Sequence, residues 1–197
     1  MPKTDPAREA LLTALEASGV SIPLWDGILI EETVRIAPGA TILPGCVLRG
    51  NTTIAAGSVI GPGSVLTDAV IGKNCTVKNT YITESTLEEN VSIGPFSQVR
   101  PGCHIAAGCK IGDFVEVKNS HIGQKTAIAH LTYVGDTDCG SGVNFGCGVA
   151  IANFNGKEKF RTTIGDNAFL GCNTNLVAPV TIGAGAYTAA GATVTRD

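Results

Sequence analysis

Aliphatic residues recur about every six positions along most of this chain, and this spacing dominates its hydrophobic pattern. The spacing is most regular at Ile93, Val99, Ile105, Ile111 and Val117, which are followed by glycine, alanine or polar residues. A period of six matches neither the 3.6-residue stripe of an α-helix nor the alternation of an ordinary strand. It is typical of a parallel β-helix, in which each unit forms one side of a coil. We therefore predict an all-β solenoid.

The repeat runs from Ile36 to about Val194 and is interrupted once. Three sides close a coil of about eighteen residues, which predicts eight or nine coils. Residues 153–163 break the spacing, and we predict a loop excursion there, with a functional role because loops that leave a rigid scaffold often carry function. The predicted division is a helix and capping segment at 1–25 and a β-helix domain at 26–197.

A short helix is predicted over residues 7–16, before the repeat begins. Asp5 can cap this helix, Pro6 suits its first turn, and Gly19 can end it. Leu11, Leu12 and Leu15 form an apolar stripe that we expect to cover the first coil. Trp25 follows in a transition segment, where packing under the cap is favoured over ligand stacking.

Composition excludes some partners. The formal net charge of −3 in 197 residues argues against a nucleic-acid or anionic-membrane surface. The sequence contains no apolar run of membrane-spanning length, and its N-terminus lacks a signal region, so we expect a cytoplasmic protein. Its seven cysteines show no paired metal-ligand spacing. We expect free structural thiols, with metal binding or disulfides as alternatives.

Two basic residues are separated by one predicted coil. Arg100 and Lys118 are eighteen residues apart, so stacked coils would place one directly below the other. Two adjacent cations can share an anion, and a phosphate is the natural candidate. The alternative is a pair of solvated side chains.

His130 lies among small and apolar neighbours and could accept a proton from an amine or alcohol. A structural histidine is the alternative. His104 and His121, which we place near corners, raise the further idea of a zinc site, although the closely spaced histidine pair expected of such a β-helix is absent.

Specific sequence strings support a family resemblance over residues 93–197. They are IGPFSQVRPG (93–102), IGDFVEVKN (111–119), AHLTYVGD (129–136), NFNG (153–156) and NLVAPVT (175–181). On these strings the chain resembles the acetyltransferase domain of the bifunctional enzyme family that makes UDP-N-acetylglucosamine. Residues 36–90 resemble that family more loosely.

The resemblance implies a left-handed parallel β-helix that forms homotrimers with active sites between subunits. It implies transfer of the acetyl group of acetyl-CoA to the amine of glucosamine-1-phosphate, with no metal required. By position, His130 corresponds to the general base and Asn153 to the residue that orients the amine. Contacts to the sugar phosphate are implied for Arg100, Lys118, Tyr133, Asn144 and Lys159. Contacts to coenzyme A are implied for Cys147 and Cys172, the latter where some members carry serine.

The chain also departs from that family. The nucleotidyltransferase domain is missing, so we expect no uridylyltransferase activity, and Met1 before a helix suggests a standalone start. The sequence stops at Asp197, before the tail that supplies a basic residue for coenzyme A. Two other functions stay open: a non-catalytic trimeric β-helix that binds sugar phosphates, and an acetyltransferase with another amino-sugar acceptor. In the enzymatic hypothesis, the basic pair and His130 share one groove, formed within a chain or between neighbouring protomers.

Overall fold

The computed structural model describes residues 5–197 as one short helix followed by a three-sided parallel solenoid. Each side of the solenoid is a parallel sheet, and each sheet takes every third strand along the chain. We number the strands in chain order and call the sheets I, II and III. The predicted fold class, an all-β left-handed parallel β-helix with a short N-terminal helix, is confirmed.

The strands are short, and their bounds are as follows. Sheet I contains β1 (Leu29–Ile30), β4 (Val47–Arg49), β7 (Val65–Thr67), β10 (Thr80–Thr83), β13 (Ser97–Val99), β16 (Glu116–Lys118), β19 (Tyr133–Gly135), β22 (Ala150–Ala152), β25 (Asn175–Val177) and β28 (Thr193–Val194). Sheet II contains β2 (Arg35–Ile36), β5 (Thr53–Ile54), β8 (Val70–Ile71), β11 (Thr86–Leu87), β14 (His104–Ile105), β17 (His121–Ile122), β20 (Thr137–Cys139), β23 (Thr162–Ile164) and β26 (Val180–Ile182). Sheet III contains β3 (Thr41–Ile42), β6 (Val59–Ile60), β9 (Thr76–Val77), β12 (Ser92–Ile93), β15 (Lys110–Ile111), β18 (Ala127–Ile128), β21 (Asn144–Phe145), β24 (Phe169–Leu170) and β27 (Tyr187–Thr188).

The repeating aliphatic residues point inward and stack in columns, as the six-residue period predicts. In sheet I the column over the middle coils is Leu66, Ile82, Val99, Val117 and Val134, each fully buried. Strands of two to four residues cannot hold together alone, so stability comes from contact between neighbouring coils. Each buried aliphatic side chain contributes about 1.5–3 kcal/mol relative to exposure.

The helix α1 (Pro6–Ala17) closes the N-terminal end of the solenoid, as predicted. The Asp5 carboxylate accepts hydrogen bonds from the backbone N–H groups of Ala7 and Arg8. Leu12 is 1% exposed against the core, and Trp25 packs there too, as expected from the sequence. Arg8 Nε donates to the Ile28 carbonyl over 2.8 Å and ties the helix to the first coil.

The irregular excursion is a hairpin that spans residues 153–161, between β22 and β23. It ends two residues earlier than predicted because Thr162 and Thr163 already pair in register with Thr137 and Asp138. The boundary between residues 25 and 26 stays a prediction, and the first four residues lie outside the described part of the chain.

The contact of α1 with the solenoid can be tested with leucine substitutions. Leu12→Ala should lower the free energy of unfolding by about 2–4 kcal/mol because it leaves a cavity under the helix. Leu24→Ala, at a position 59% exposed, is the matched control and should cost less than about 0.5 kcal/mol. Urea unfolding measures both, and equal effects would contradict the packing described.

Candidate functional site

Arg100 and Lys118 stack on neighbouring coils at the edge where sheet I turns into sheet II. Val99 pairs with Val117 in the parallel register of β13 and β16, and Arg100 N donates to the Val117 carbonyl over 2.8 Å. Arg100 Nη1 also donates to Glu116 Oε1 over 2.8 Å, and that contact raises the pKa of Arg100. The eighteen-residue spacing therefore produces the neighbouring cations that the sequence predicts.

A buried carboxylate organises this edge. Asp136 is 5% exposed and accepts hydrogen bonds from Lys118 Nζ over 3.1 Å and from the side-chain amides of Asn119 and Asn153. Burial alone would raise the pKa of Asp136, but these three donors outweigh it and hold that pKa below its ordinary value. Asp136 thus fixes both Lys118 and the first residue of the excursion hairpin.

Tyr133 lies across the same edge because the residue two positions later is glycine. A Cβ placed on Gly135 would lie 2.3 Å from Tyr133 Oη and 2.8 Å from Asn153 Nδ2. Asn153 Nδ2 also donates to Tyr133 Oη over 3.4 Å. Because Gly135 has no side chain, the phenol of Tyr133 and the side-chain amide of Asn153 have room to meet above Lys118.

The excursion hairpin brings a second lysine to the cluster. Phe154 and Lys159 form an antiparallel bridge, and Arg161 at the hairpin's end donates to both carboxylate oxygens of Asp138. Lys159 lies beside Lys118, and this neighbouring ammonium group lowers the pKa of Lys159. A neighbouring like charge disfavours the charged form of a lysine, and an anion bound between the two ammonium groups would relieve that repulsion.

We call this set the basic cluster; its members are Arg100, Lys118, Tyr133, Asp136, Asn153 and Lys159. Three cations here face two carboxylates, those of Glu116 and Asp136. The remaining positive charge, with a phenol and an amide at its border, suits a phosphate ester.

His130 lies at a different corner, where sheet III turns into sheet I. Its Nδ1 is 2.5 Å from Asp113 Oδ1 on the preceding coil, and this hydrogen bond lowers the pKa of Asp113. In a neutral imidazole that donates from Nδ1 to the carboxylate, Nε2 is an acceptor. More than half of the imidazole is exposed, so Nε2 can meet a molecule bound from outside.

Both cysteines with an implied cofactor role share the corner of His130. The Gly148 N–H donates to the His130 carbonyl over 2.9 Å, and the Asn173 N–H donates to the Cys147 carbonyl over 2.7 Å. These bonds place His130, Cys147 and Cys172 one above another on successive coils. Asn144 lies three residues before Cys147, half-buried in β21 of sheet III.

Within one chain the structure separates most of the predicted site residues into two groups and leaves Asn144 in a strand of sheet III. The basic cluster gathers at the edge where sheet I turns into sheet II, whereas Asp113, His130, Cys147 and Cys172, which we call the histidine corner, precede the strands of sheet I. Sequence reasoning missed Asp113 and Asp136, although each lies about one coil from its partner: Asp113 is seventeen residues from His130 and Asp136 eighteen from Lys118. The one-coil count used for Arg100 could have found both.

His104 and His121 lie in strands of sheet II and not at corners, which corrects the sequence-based placement. Their rings stack with centroids 5.1 Å apart, and His104 Nε2 contacts Glu88 Oε1. His130 lies elsewhere, between a strand of sheet III and a strand of sheet I. Over residues 5–197, no group of three histidine, cysteine or acidic side chains could hold a metal ion. The helix of the described region is too short to cross a bilayer.

A known family profile matches the chain in three segments. The sequence profile described as "Bacterial transferase hexapeptide (six repeats)" matches residues 33–68, 84–119 and 161–196, more than half of the chain. The chain belongs to the bacterial transferase hexapeptide family. The matched segments of that family account for the six-residue period and for most of the three-sided core.

Relatives within the hexapeptide family are bifunctional GlmU proteins, which confirms the resemblance seen in the sequence. The chain is 46% identical over 190 residues to the protein of Acetivibrio thermocellus, covering 96% of this chain and 41% of that protein. It is 48% identical over 171 residues to the protein of Clostridium acetobutylicum, covering 87% of this chain and 38% of that protein. The chain thus spans about two fifths of the length of the curated relatives that it matches.

A solved structure shares the fold. UDP-N-acetylglucosamine O-acyltransferase (LpxA) from Moraxella catarrhalis superposes with a TM-score of 0.54 at 18% identity, covering 79% of this chain and 65% of that one. At this identity the likeness supports the solenoid architecture alone.

The role of Asp136 predicts a pH-dependent loss of stability. Its depressed pKa means that the carboxylate stabilises the fold above the ordinary aspartate pKa of about 4, and that this contribution is lost as pH falls through the lower folded-state value. Asp136→Asn should therefore lower the free energy of unfolding by about 2 kcal/mol at pH 7, with a smaller difference in acid. Asp138→Asn, at a side chain 54% exposed, is the control and should cost less than about 1 kcal/mol. Urea unfolding across pH measures both, and a pH-independent difference for Asp136→Asn would contradict the assignment.

Proposed function

We propose that this chain is an acetyltransferase that moves the acetyl group of acetyl-CoA to the amine of glucosamine-1-phosphate. The observation that carries the proposal is the basic cluster: three cations with a phenol and an amide, fixed by a buried aspartate on one edge of the solenoid. The identity to bifunctional GlmU proteins over most of the chain supports the same reaction.

The phosphate of the acceptor binds to Arg100, Lys118 and Lys159. Asp136 keeps Lys118 charged, since its contact outweighs burial and raises the pKa of that lysine. A bound phosphate would also offset the repulsion between Lys159 and Lys118, which lowers the pKa of Lys159. Tyr133 and Asn153 contact the sugar beside the phosphate, and Asn153 orients the amine.

His130 is the general base. Asp113 holds the imidazole so that Nε2 is free to accept a proton from the amine as nitrogen attacks the thioester carbonyl. The new bond joins nitrogen to the acetyl carbon, the carbon–sulfur bond breaks, and the coenzyme A thiolate leaves and is then protonated. Cys147 and Cys172, in the same column as His130, border the path of coenzyme A, and Asn144 contacts the acceptor.

The two groups of residues meet between copies of the chain. Phe96, Phe114 and Leu131, next to Asp113 and His130, are between 54% and 63% exposed. All three adopt positive φ, where a bulky side chain is strained, and the two phenyl rings stack 5.6 Å apart. An exposed apolar ridge that carries this backbone strain is best explained by a second copy of the chain that covers it. In a homotrimer, the basic cluster of one copy then faces the histidine corner of its neighbour.

Free buried thiols fit a cytoplasmic location.

The assigned base predicts a specific loss. His130→Ala should lower kcat/KM by about 10²- to 10⁴-fold in a thiol-release assay with acetyl-CoA and glucosamine-1-phosphate, because the amine proton loses its acceptor. The assembly should keep its size in gel filtration. His121→Ala, in sheet II, is the matched control and should keep full activity. Unchanged turnover in His130→Ala would refute this role.

Shared sites predict complementation between inactive variants. Lys118→Ala and His130→Ala chains, refolded together in equal amounts, should recover about one quarter of the wild-type sites, since a neighbour can supply each missing group. A mixture of Lys118→Ala with Arg100→Ala should recover nothing, because both changes damage the same half. No recovery in the first mixture would show that one chain supplies both halves.

A further inference from the structure

Two of the seven cysteines are more exposed to solvent than the other five. Cys46, Cys75, Cys103, Cys109 and Cys139 are buried, and burial raises the pKa of Cys139 to about 12. Cys147 is half-buried and Cys172 is exposed. Among the thiols of the described chain, a dissolved oxidant can therefore reach these two most readily.

The same two cysteines occupy one corner position on neighbouring coils. One backbone hydrogen bond recurs along this corner, from Leu131 N to the Asp113 carbonyl, from Gly148 N to the His130 carbonyl, and from Asn173 N to the Cys147 carbonyl. This repetition aligns Cys147 with Cys172 just as it aligns Asp113 with His130.

The spacing permits a bond between them. Neighbouring parallel strands lie about 4.8 Å apart, within the Cα separation of about 4.4–6.8 Å that disulfides span. The packing is tight here: a Cβ on Gly146 would lie 2.6 Å from Cys172 N. Two coils earlier in the same column, the Asp113 and His130 side chains already touch. Side chains at this corner thus reach across one coil.

We propose that Cys147 and Cys172 form a reversible disulfide that blocks acetyl-CoA binding. Glutathione disulfide is a sufficient oxidant. The exposed Cys172 thiolate attacks one of its sulfurs, and a first glutathione leaves as a thiolate. Cys147 then attacks the mixed disulfide, the protein disulfide forms, and a second glutathione leaves. Two protein thiols are oxidised, one glutathione disulfide is reduced, and the two thiol protons end on glutathione. The blocking effect rests on the proposed function, because there both thiols border coenzyme A; the bond itself does not.

Mass spectrometry tests the bond. After treatment with glutathione disulfide, denaturation and alkylation, five of the seven thiols should react, and all seven after dithiothreitol. Tryptic fragments 126–157 and 162–196 should be joined. Cys147→Ser and Cys172→Ser should each abolish the link. Cys139→Ala, on the same fragment as Cys147, is the matched control and should retain it. Full alkylation, or a glutathione adduct on Cys172 without the link, would overturn the proposal.

Acetyl-CoA titration tests the consequence. Oxidation should weaken binding by at least about tenfold in the wild type and in Cys139→Ala, and dithiothreitol should restore it. In Cys172→Ser, oxidised and reduced samples should bind alike. Equal binding by cross-linked and reduced wild type would overturn the blocking role. A link that forms in a chain that never binds acetyl-CoA would leave the disulfide standing and refute the proposed function.

Discussion

The constraint on which this molecule depends is the register between successive coils. Inward aliphatic residues pair in register from one coil to the next, and a slip of one residue would turn them outward. Because the core fixes this register, polar residues on the outer face also stack, and residues one coil apart become neighbours. The basic cluster and the histidine corner are both consequences of this packing.

Asp136 shows how the register between coils brings polar side chains into contact. Its position at the sheet I edge, one coil above Lys118, lets one carboxylate hold a lysine, an asparagine of its own edge and the root of the hairpin. Arg161 anchors the far end of that hairpin through Asp138. Lys159 is thereby brought to Lys118 from a segment that has no repeat of its own, so the rigid scaffold gains a second cation at this edge.

The sequence predicts the core well because inward residues obey one simple period, and the capping helix because its signals are local. It predicts Arg100 below Lys118 because that coil has eighteen residues. It could not place Lys159, since that depends on the contact between Arg161 and Asp138, twenty-three residues apart. The separation of His130 from Lys118 can be predicted from the sequence. The two residues are twelve positions apart, which corresponds to two sides of a coil and therefore to a different corner. An eighteen-residue count could not predict that Cys147 and Cys172 lie on neighbouring coils, because the excursion places them twenty-five residues apart in the sequence.

We propose that two half-sites, at opposite edges of sheet I, form one active site between copies of the chain. A crystal structure with glucosamine-1-phosphate bound tests it most directly. We predict that the phosphate lies on Arg100, Lys118 and Lys159 of one copy, with the amine facing the His130 imidazole of a neighbouring copy. A phosphate bound away from these cations, or an amine facing the histidine of the same chain, would contradict it.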